Sequence, residues 1–452
     1  MNTNRKILVI GGLAAGPSAA AKAKRVSPHA QVTLLEAGET VSYGLCEVPY
    51  AVSGVIGNEE KLVIYSPQRL HDEKGIDVKT LHLAEHIDTV NRTVGVRDLS
   101  RRTTLAFEYD KLIIASGARP KRLDLPGEDS GNVFPVRSRD DSRNIINYLE
   151  REHPKSAVII GAGYIGMEMA EALKTRGLDT TVVHHHRLPL STLEQGTREH
   201  VLEELEKNGI NFITNALVEG FDVSPKNQVR HILTNRGSFD ADIVIEAIGI
   251  QPNTDIVRSA RVRVGKSGGI LTDERQRTNI ENIYAAGDCC EVKNSVMGKP
   301  MYIPLATIAS RAGWVAGENA AGGTASFKGA IRALAVRVFG IEVAQVGISS
   351  EEARAAGFSV TVTSITGSSR VGLMPGTKKI TVTLIVEDRT RRILGANIFG
   401  GDGVVQRANI LGVAIQHRMT LDDIAQFDLI YSPPFAPLWD PILIAANNGR
   451  KA

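Results

Sequence analysis

Cysteine is scarce in this chain. Three occur in 452 residues, too few and too unevenly spaced for a disulfide framework or a zinc site. Cys289 and Cys290 are adjacent, and neighbouring cysteines rarely bond to each other. Cys46 has no second cysteine close enough for a C-x-x-C or C-x4-C redox pair. Such usage points to a reducing compartment. Long apolar runs are missing too. None approaches the roughly twenty residues of a membrane helix, and residues 1–4 lead straight into a strand without an apolar signal region. We therefore expect a cytoplasmic protein with no membrane partner and no bound metal. Excess charge is also lacking: +3 over the whole chain gives no ground for a nucleic-acid partner.

What is present is length and glycine. At roughly 150 residues per domain the chain holds about three domains, and 42% hydrophobic residues with 43 glycines fit an α/β protein rich in tight turns. An apolar strand over 6–10 meets Gly11-Gly12-Leu13-Ala14-Ala15-Gly16, then an alanine-rich helix over 18–25 and a strand over 31–35 that ends at Glu36. This order of strand, glycine turn, helix, strand and terminal acid is that of a dinucleotide-binding unit, although Leu13 replaces the middle glycine. The pattern returns complete at Gly161-Ala162-Gly163-Tyr164-Ile165-Gly166, between a strand over 157–160 and a helix reaching 176, with a strand over 180–183 after it. One such motif is weak evidence; two in full βαβ context predict two bound nucleotides.

Buried strands breaking into turns, 109–120 and 243–253, read as crossovers between domains. A strand over 282–288 ending in Gly287-Asp288 and a helix from about 304 to 321 follow, and 322–324 reads as a linker. Beyond 330, strands over 361–366, 379–386 and 393–398 alternate with helices over 403–416 and 421–425, without a nucleotide fingerprint. A third, α+β domain is expected there.

At these positions the chain resembles the pyridine nucleotide-disulfide oxidoreductases of the single-cysteine branch, which includes coenzyme A disulfide reductase, persulfide and polysulfide reductases, NADH oxidase and NADH peroxidase. The resemblance rests on the first glycine turn, Cys46 with Pro49-Tyr50, Ser116-Gly117, the second glycine turn, Gly287-Asp288 and Tyr431-Ser432-Pro433-Pro434. It implies an α/β fold with two Rossmann-like domains, the second inserted in the first: an FAD domain at 1–120 and 250–323, an NAD(P)H domain at 121–249, and a C-terminal α+β dimerisation domain at 324–452.

For the site, the resemblance implies FAD at Gly11, Gly12, Ala14, Ala15, Gly16, Glu36, Ala37, Ser42, Ala115, Ser116, Gly117 and Asp288, with the helix starting at Pro304, Leu305 and Ala306 pointing its positive end at the flavin. NAD(P)H would sit on Gly161, Gly163, Tyr164, Ile165 and Gly166, with Glu168 near the nicotinamide and Gly249 in the second crossover. The acid that would hold the 2′-hydroxyl of NADH is missing after the second unit's strand, where His184, His186 and Arg187 stand instead. These can pair with a 2′-phosphate, so NADPH is favoured over NADH; a solvated histidine loop is the competing reading. Cys46 would be the redox-active residue, holding a small thiol as a mixed disulfide or passing through a persulfide. Tyr431 would reach the cysteine of the other subunit of a homodimer and serve as its acid. Lys22, Arg25 and Lys74 match positions where coenzyme A disulfide reductases carry phosphate-binding or basic residues, and a solvated helix face competes at each.

Departures from the branch bear on the substrate. Leu45 cannot donate a hydrogen bond to a thiolate, and Glu47 places a carboxylate beside the sulfur that would raise its pKa. Leu373-Met374 stand where aromatic residues often precede Pro375-Gly376. Ala14 in the first turn argues against NADH peroxidase, and Ala51 against a two-cysteine reductase. The leading expectation is reduction of a coenzyme A disulfide, persulfide or related small sulfur compound. An NADH oxidase and a flavoprotein redox sensor or electron carrier are the alternatives.

Overall fold

The computed structural model describes residues 5–450; residues 1–4, read above as lacking a signal region, lie outside them. β1 (Lys6–Ile10) runs through the first glycine turn into α1 (Ala15–Val26) and returns as β2 (Gln31–Leu35). α1 starts earlier than its alanine run implied. The short helix α2 (Val48–Val52) follows Cys46, and β3 (Asp77–Lys79) and β4 (Lys111–Ile114) join the same sheet. Between them lies an antiparallel three-stranded sheet, His82–Asp88, Thr93–Asp98 and Thr103–Glu108. Its last strand is mostly exposed, so it lacks the apolar alternation that announces a half-buried strand.

The chain next forms β5 (Val133–Pro135), α3 (Arg139–Glu152), β6 (Ser156–Ile160), α4 (Tyr164–Thr175), β7 (Asp179–Val183), β8 (Asn211–Ile213) and β9 (Ile243–Glu246). These strands make a second parallel sheet in the order β8-β7-β6-β9-β5. The chain then returns to the first sheet as β10 (Ile283–Ala285), whose parallel order is β10-β4-β1-β2-β3. The second sheet is thus an insertion in the first. Both crossings run side by side, Ala118–Pro120 pairing antiparallel with Ile250–Pro252.

α5 (Ala306–Ala320) packs on α1 at backbone contact: a Cβ at Gly317 would fall 2.0 Å from the Ala19 carbonyl oxygen. The remaining strands, β11 (Ala333–Val338), β12 (Ile341–Gly347), β13 (Val360–Ser368), β14 (Lys379–Glu387) and β15 (Ile393–Gly400), form one antiparallel sheet ordered β11-β12-β15-β14-β13. α6 (Val404–Gln416) and α7 (Pro441–Gly449) share an apolar core with it. No helix among the described residues is long and apolar enough to cross a membrane, and those residues contain no cluster of side chains that could hold a metal.

Candidate active site

The two glycine turns are built alike down to single hydrogen bonds. Gly11 N–H donates to Leu35 O at 2.8 Å, and Gly161 N–H donates to Val183 O at 2.9 Å. Ala115 N–H reaches Ile10 O, and Ala247 N–H reaches Ile160 O, both at 2.8 Å. Gly11 and Gly161 have φ of +105° and +101°, a region that β-carbons disfavour. Cβ atoms at Gly16 and Gly166 would lie 1.8 and 2.2 Å from the carbonyl oxygens of Gly11 and Gly161. These clashes explain why the first turn of each helix must carry a glycine, Gly16 or Gly166, to sit so close to its strand. Nothing lies within 4 Å of a Cβ built at Gly163, which leaves room for a pyrophosphate over the start of α4.

Beside the first turn lies a cavity of about 310 Å³, lined by Gly11, Glu36, Ala37, His82, Ser116, Arg119 and Asn253 among others, of a size to take a nucleoside. Glu36 is held rigidly there, accepting from Gly12 N–H and Gly38 N–H at 2.7 Å each. Ser42, at φ +48°, donates its N–H to Gly12 O. Ser116 Oγ donates to Asn253 O at 2.6 Å. Ala14 lies at the N-cap of α1, Ala15 is buried behind it, and Gly117 continues the turn after Ser116. Pro304 and Leu305 lead into α5, which begins at Ala306. The cavity and the start of α1 fit a nucleotide at the first turn, and the open space at Gly163 leaves room for one at the second.

Cys46 stands where the two units meet. Val48, Ala51 and Val52 of α2 are buried in one apolar cluster with Met167, Met169 and Leu173 of α4, and Leu45 packs against it. An apolar residue before the cysteine therefore anchors the turn on the second unit. The Cys46 side chain is exposed, yet crowding by surrounding protein pushes its thiol up, and Glu47, then Glu168, act the same way. Arg137 opposes them. The Glu47 carboxylate folds back over Gly44, whose Cβ would meet Oε2 at 2.3 Å. The expected effect of Glu47 is present, second to burial.

Asp288 pairs with Arg137 Nη2 at 2.6 Å. Sequence reasoning missed Arg137, which follows β5 in no recognisable motif. Glu168 is pushed up to about 7 by burial and by Glu171, against a hydrogen bond with Tyr50. Tyr50, quoted above only as a motif residue, is thus part of the site. Tyr164 is turned elsewhere: its hydroxyl meets Thr192 Oγ1 at 3.1 Å and Gln345 of β12 at 3.4 Å, and burial pushes it up to about 12. Ile165 packs into the cluster under α2, and Gly249, at φ +105°, opens the return crossing.

One expectation needs correcting. His184 is only 6% exposed, neither ring nitrogen has a partner, and burial lowers its pKa to about 4. Its backbone extends the strand, the N–H donating to Ile213 O at 3.0 Å, so the ring points into the core as a neutral group and does not face a phosphate. His186 and Arg187 are exposed, with Arg187 Nη2 2.8 Å from Glu199. Lys22 is also engaged, 2.8 Å from Glu318 and 3.7 Å from the centroid of a Trp314 ring, whereas Arg25 and Lys74 are exposed. Tyr431 is half exposed, within an apolar segment that includes Ile430, Phe435, Leu438 and Trp439. Cys289 and Cys290 are buried, with sulfurs 3.8 Å apart.

Two family models match the chain: pyridine nucleotide-disulphide oxidoreductase over residues 5–313, and the dimerisation domain of the same family over 334–441. The chain is 34% identical over 449 residues to the NAD(P)H sulfur oxidoreductase (CoA-dependent) of Pyrococcus abyssi, covering 99% of this chain and 98% of the other. It is 30% identical to the coenzyme A disulfide reductase of Staphylococcus haemolyticus, over 96% of each. Among solved structures it is similar to the NAD-dependent persulfide reductase from A. fulgidus, with a TM-score of 0.95 and 35% identity over 99% of this chain and 83% of that one.

Proposed function

Because the chain belongs to the pyridine nucleotide-disulphide oxidoreductase family, we propose that this NAD(P)H-dependent flavoprotein oxidoreductase reduces a small disulfide, persulfide or polysulfide through Cys46. A coenzyme A disulfide or persulfide is the leading substrate, in line with the names of its relatives. The observation that carries this reading is the setting of Cys46. It is the exposed thiol of the described residues, and Asp288 from the first unit with Glu168 and Arg137 from the second all act on it.

In this reading 1–120 and 250–323 hold FAD, 121–249 hold NAD(P)H, and 324–452 join two subunits. Bound FAD and NAD(P)H would supply hydride and electron-pair transfer. The first glycine turn, Glu36, Ser42, Ser116, Asp288 and the start of α5 would hold FAD. The second turn would hold the pyridine nucleotide, with Glu168 beside the nicotinamide. His186 and Arg187 remain to receive a 2′-phosphate, so NADPH is the favoured donor, and kcat/KM measured with each nucleotide tests that preference.

The chain's own chemistry centres on one sulfur. The Cys46 thiolate attacks a disulfide R–S–S–R, forms Cys46–S–S–R and releases one thiolate, and two electrons delivered to the new bond return Cys46 and free the second thiol. With a persulfide R–S–SH, Cys46 takes the outer sulfur as Cys46–S–SH and releases the thiol, and two electrons with a proton then cleave that bond, returning the Cys46 thiolate and freeing hydrogen sulfide. Tyr431 of the second subunit would protonate the departing thiolate.

Cys46→Ser tests the scheme. Bound flavin and its reduction by NAD(P)H should persist, while disulfide turnover falls by about a thousandfold or more. Oxygen consumption that continues undiminished in the variant, without any disulfide added, would favour the oxidase reading instead. Mass spectrometry of the unreduced protein should find any small thiol still attached at Cys46.

A further inference from the structure

The second sheet contains a pair of buried carboxyl groups that this scheme does not use. Glu246, the last residue of β9, is 3% exposed, and Glu128, in the segment that enters the second sheet, is 5% exposed. Glu128 is well provided for as an anion. It accepts from Leu123 N–H at 2.6 Å and Asp124 N–H at 2.8 Å, and Arg122 Nε lies 3.0 Å away. Glu246 is not. Neither of its oxygens meets a hydrogen-bond donor, and Arg122 Nε stands off at 3.6 Å while the same guanidinium also serves Asp129 at 2.9 Å. Its register partners, Ile160 on β6 and Pro135 on β5, are apolar. Arg122, Glu128 and Asp129 are thus the charged groups that face it. An unpaired buried carboxylate is costly; a protonated Glu246 can instead donate its hydrogen to Glu128. Burial and the Glu128 charge accordingly push Glu246 up to about 8.

Its place in the chain makes the pair more than a local accommodation. The next residue, Ala247, is the surface on which the second glycine turn rests. Ala247 N–H donates to Ile160 O, its carbonyl oxygen lies 2.5 Å from where a Gly161 Cβ would be, and its methyl lies 3.6 Å from a Cβ at Gly166. Two residues past Pro135, the strand that pairs with Glu246 leads to Arg137, the partner of Asp288.

We propose that the Glu246–Glu128 carboxyl pair positions the second glycine turn, seating it for NAD(P)H while the pair holds one proton and unseating it when that proton is lost. Ionisation sets two buried carboxylates against each other with one shared guanidinium, so Glu246 is driven from its place and draws Ala247 with it. Glu246 is a positioning residue, acting through Ala247 without touching the nucleotide. This inference rests on the assignment of the second turn to NAD(P)H.

The test is stopped-flow reduction of the flavin in the full holoenzyme at increasing NAD(P)H, from about pH 7 to about pH 9.5. The wild-type half-saturating concentration should rise about threefold or more across this range, while Glu246→Gln, which is permanently neutral, removes that rise. A variant that keeps the wild-type pH profile overturns the proposal. Glu128→Gln provides a second measurement should Glu246→Gln not fold: it removes the opposing carboxylate and frees Arg122 for Glu246, so ionised Glu246 keeps its place and the rise should disappear, and an unmoved profile again overturns the proposal. Absence of flavin reduction by NAD(P)H at every pH would instead bring down the assignment of the second turn, and this inference with it.

Discussion

The reactivity of Cys46 is governed by groups that can be removed one at a time. Crowding and three carboxylates, Glu47, Glu168 and Asp288, hold the thiol up, and Arg137 opposes them. Glu47→Gln should therefore speed alkylation of Cys46 at pH 7 by about threefold at low salt, with a smaller effect at high salt, as measured with iodoacetamide. Glu168, held at about 7, gains its charge as the pH rises through neutrality and makes the thiol harder to ionise. Alkylation should accordingly show a weak inflection near that pH, absent in Glu168→Gln. His184 makes the opposite kind of prediction. Its folded pKa of about 4 lies below the ordinary 6.5, so on acidification the unfolded chain takes up a proton that the native chain refuses. The native state should lose up to about 3 kcal/mol as pH falls from about 6.5 to about 4. In pH-dependent thermal unfolding, His184→Leu should lessen that loss.

At the scale of elements, the glycine turns divide the work between packing and binding. Gly16 and Gly166 are required by the approach of helix to strand, because any Cβ there meets a carbonyl oxygen. Gly163 meets nothing, so its missing side chain leaves space for a ligand. Gly163→Ala should keep a near wild-type melting temperature but raise the KM for NAD(P)H by about tenfold, whereas Gly16→Ala should lose bound flavin and stability together. Thermal unfolding followed by flavin release, beside steady-state kinetics, separates the two. Leu45 illustrates the same division, since its apolar side chain ties the cysteine turn to α4 and does not act on the sulfur.

At the scale of the molecule, the segment around Tyr431 exposes several large apolar side chains. Ile430 is 84% exposed, and Phe435, Leu438 and Trp439 are each exposed beside Tyr431. A patch of this kind marks an interface, and a second copy of the chain is its proposed cover. Trp439→Glu should yield a monomer by light scattering. If Tyr431 of the second subunit serves Cys46 as proposed, the monomer should retain flavin reduction by NAD(P)H and lose disulfide turnover.

The two nucleotide units were legible in the sequence because their signals are local. A buried parallel strand, a glycine turn and a helix follow one another within a short stretch in both units, and steric necessity ties each to its place. The lone Cys46 and the unbiased charge were legible for the same reason. What lay outside that reach involves residues distant in sequence or strands without a strong pattern. The exposed three-stranded sheet lacks alternation, Arg137 finds Asp288 only after the second sheet is inserted in the first, and Glu246 faces Glu128 only across the crossing. His184 shows the limit most plainly: composition marks it as a cation for a phosphate, but the direction of its side chain is set by strand pairing with β8. The sequence by itself thus determined the nucleotide turns and the single available thiol, since those depend on short-range sterics and residue chemistry. The charge state of His184, Glu168 and Glu246 was decided by the tertiary structure alone, because burial and neighbouring charges, which set a pKa, exist only once distant segments pack.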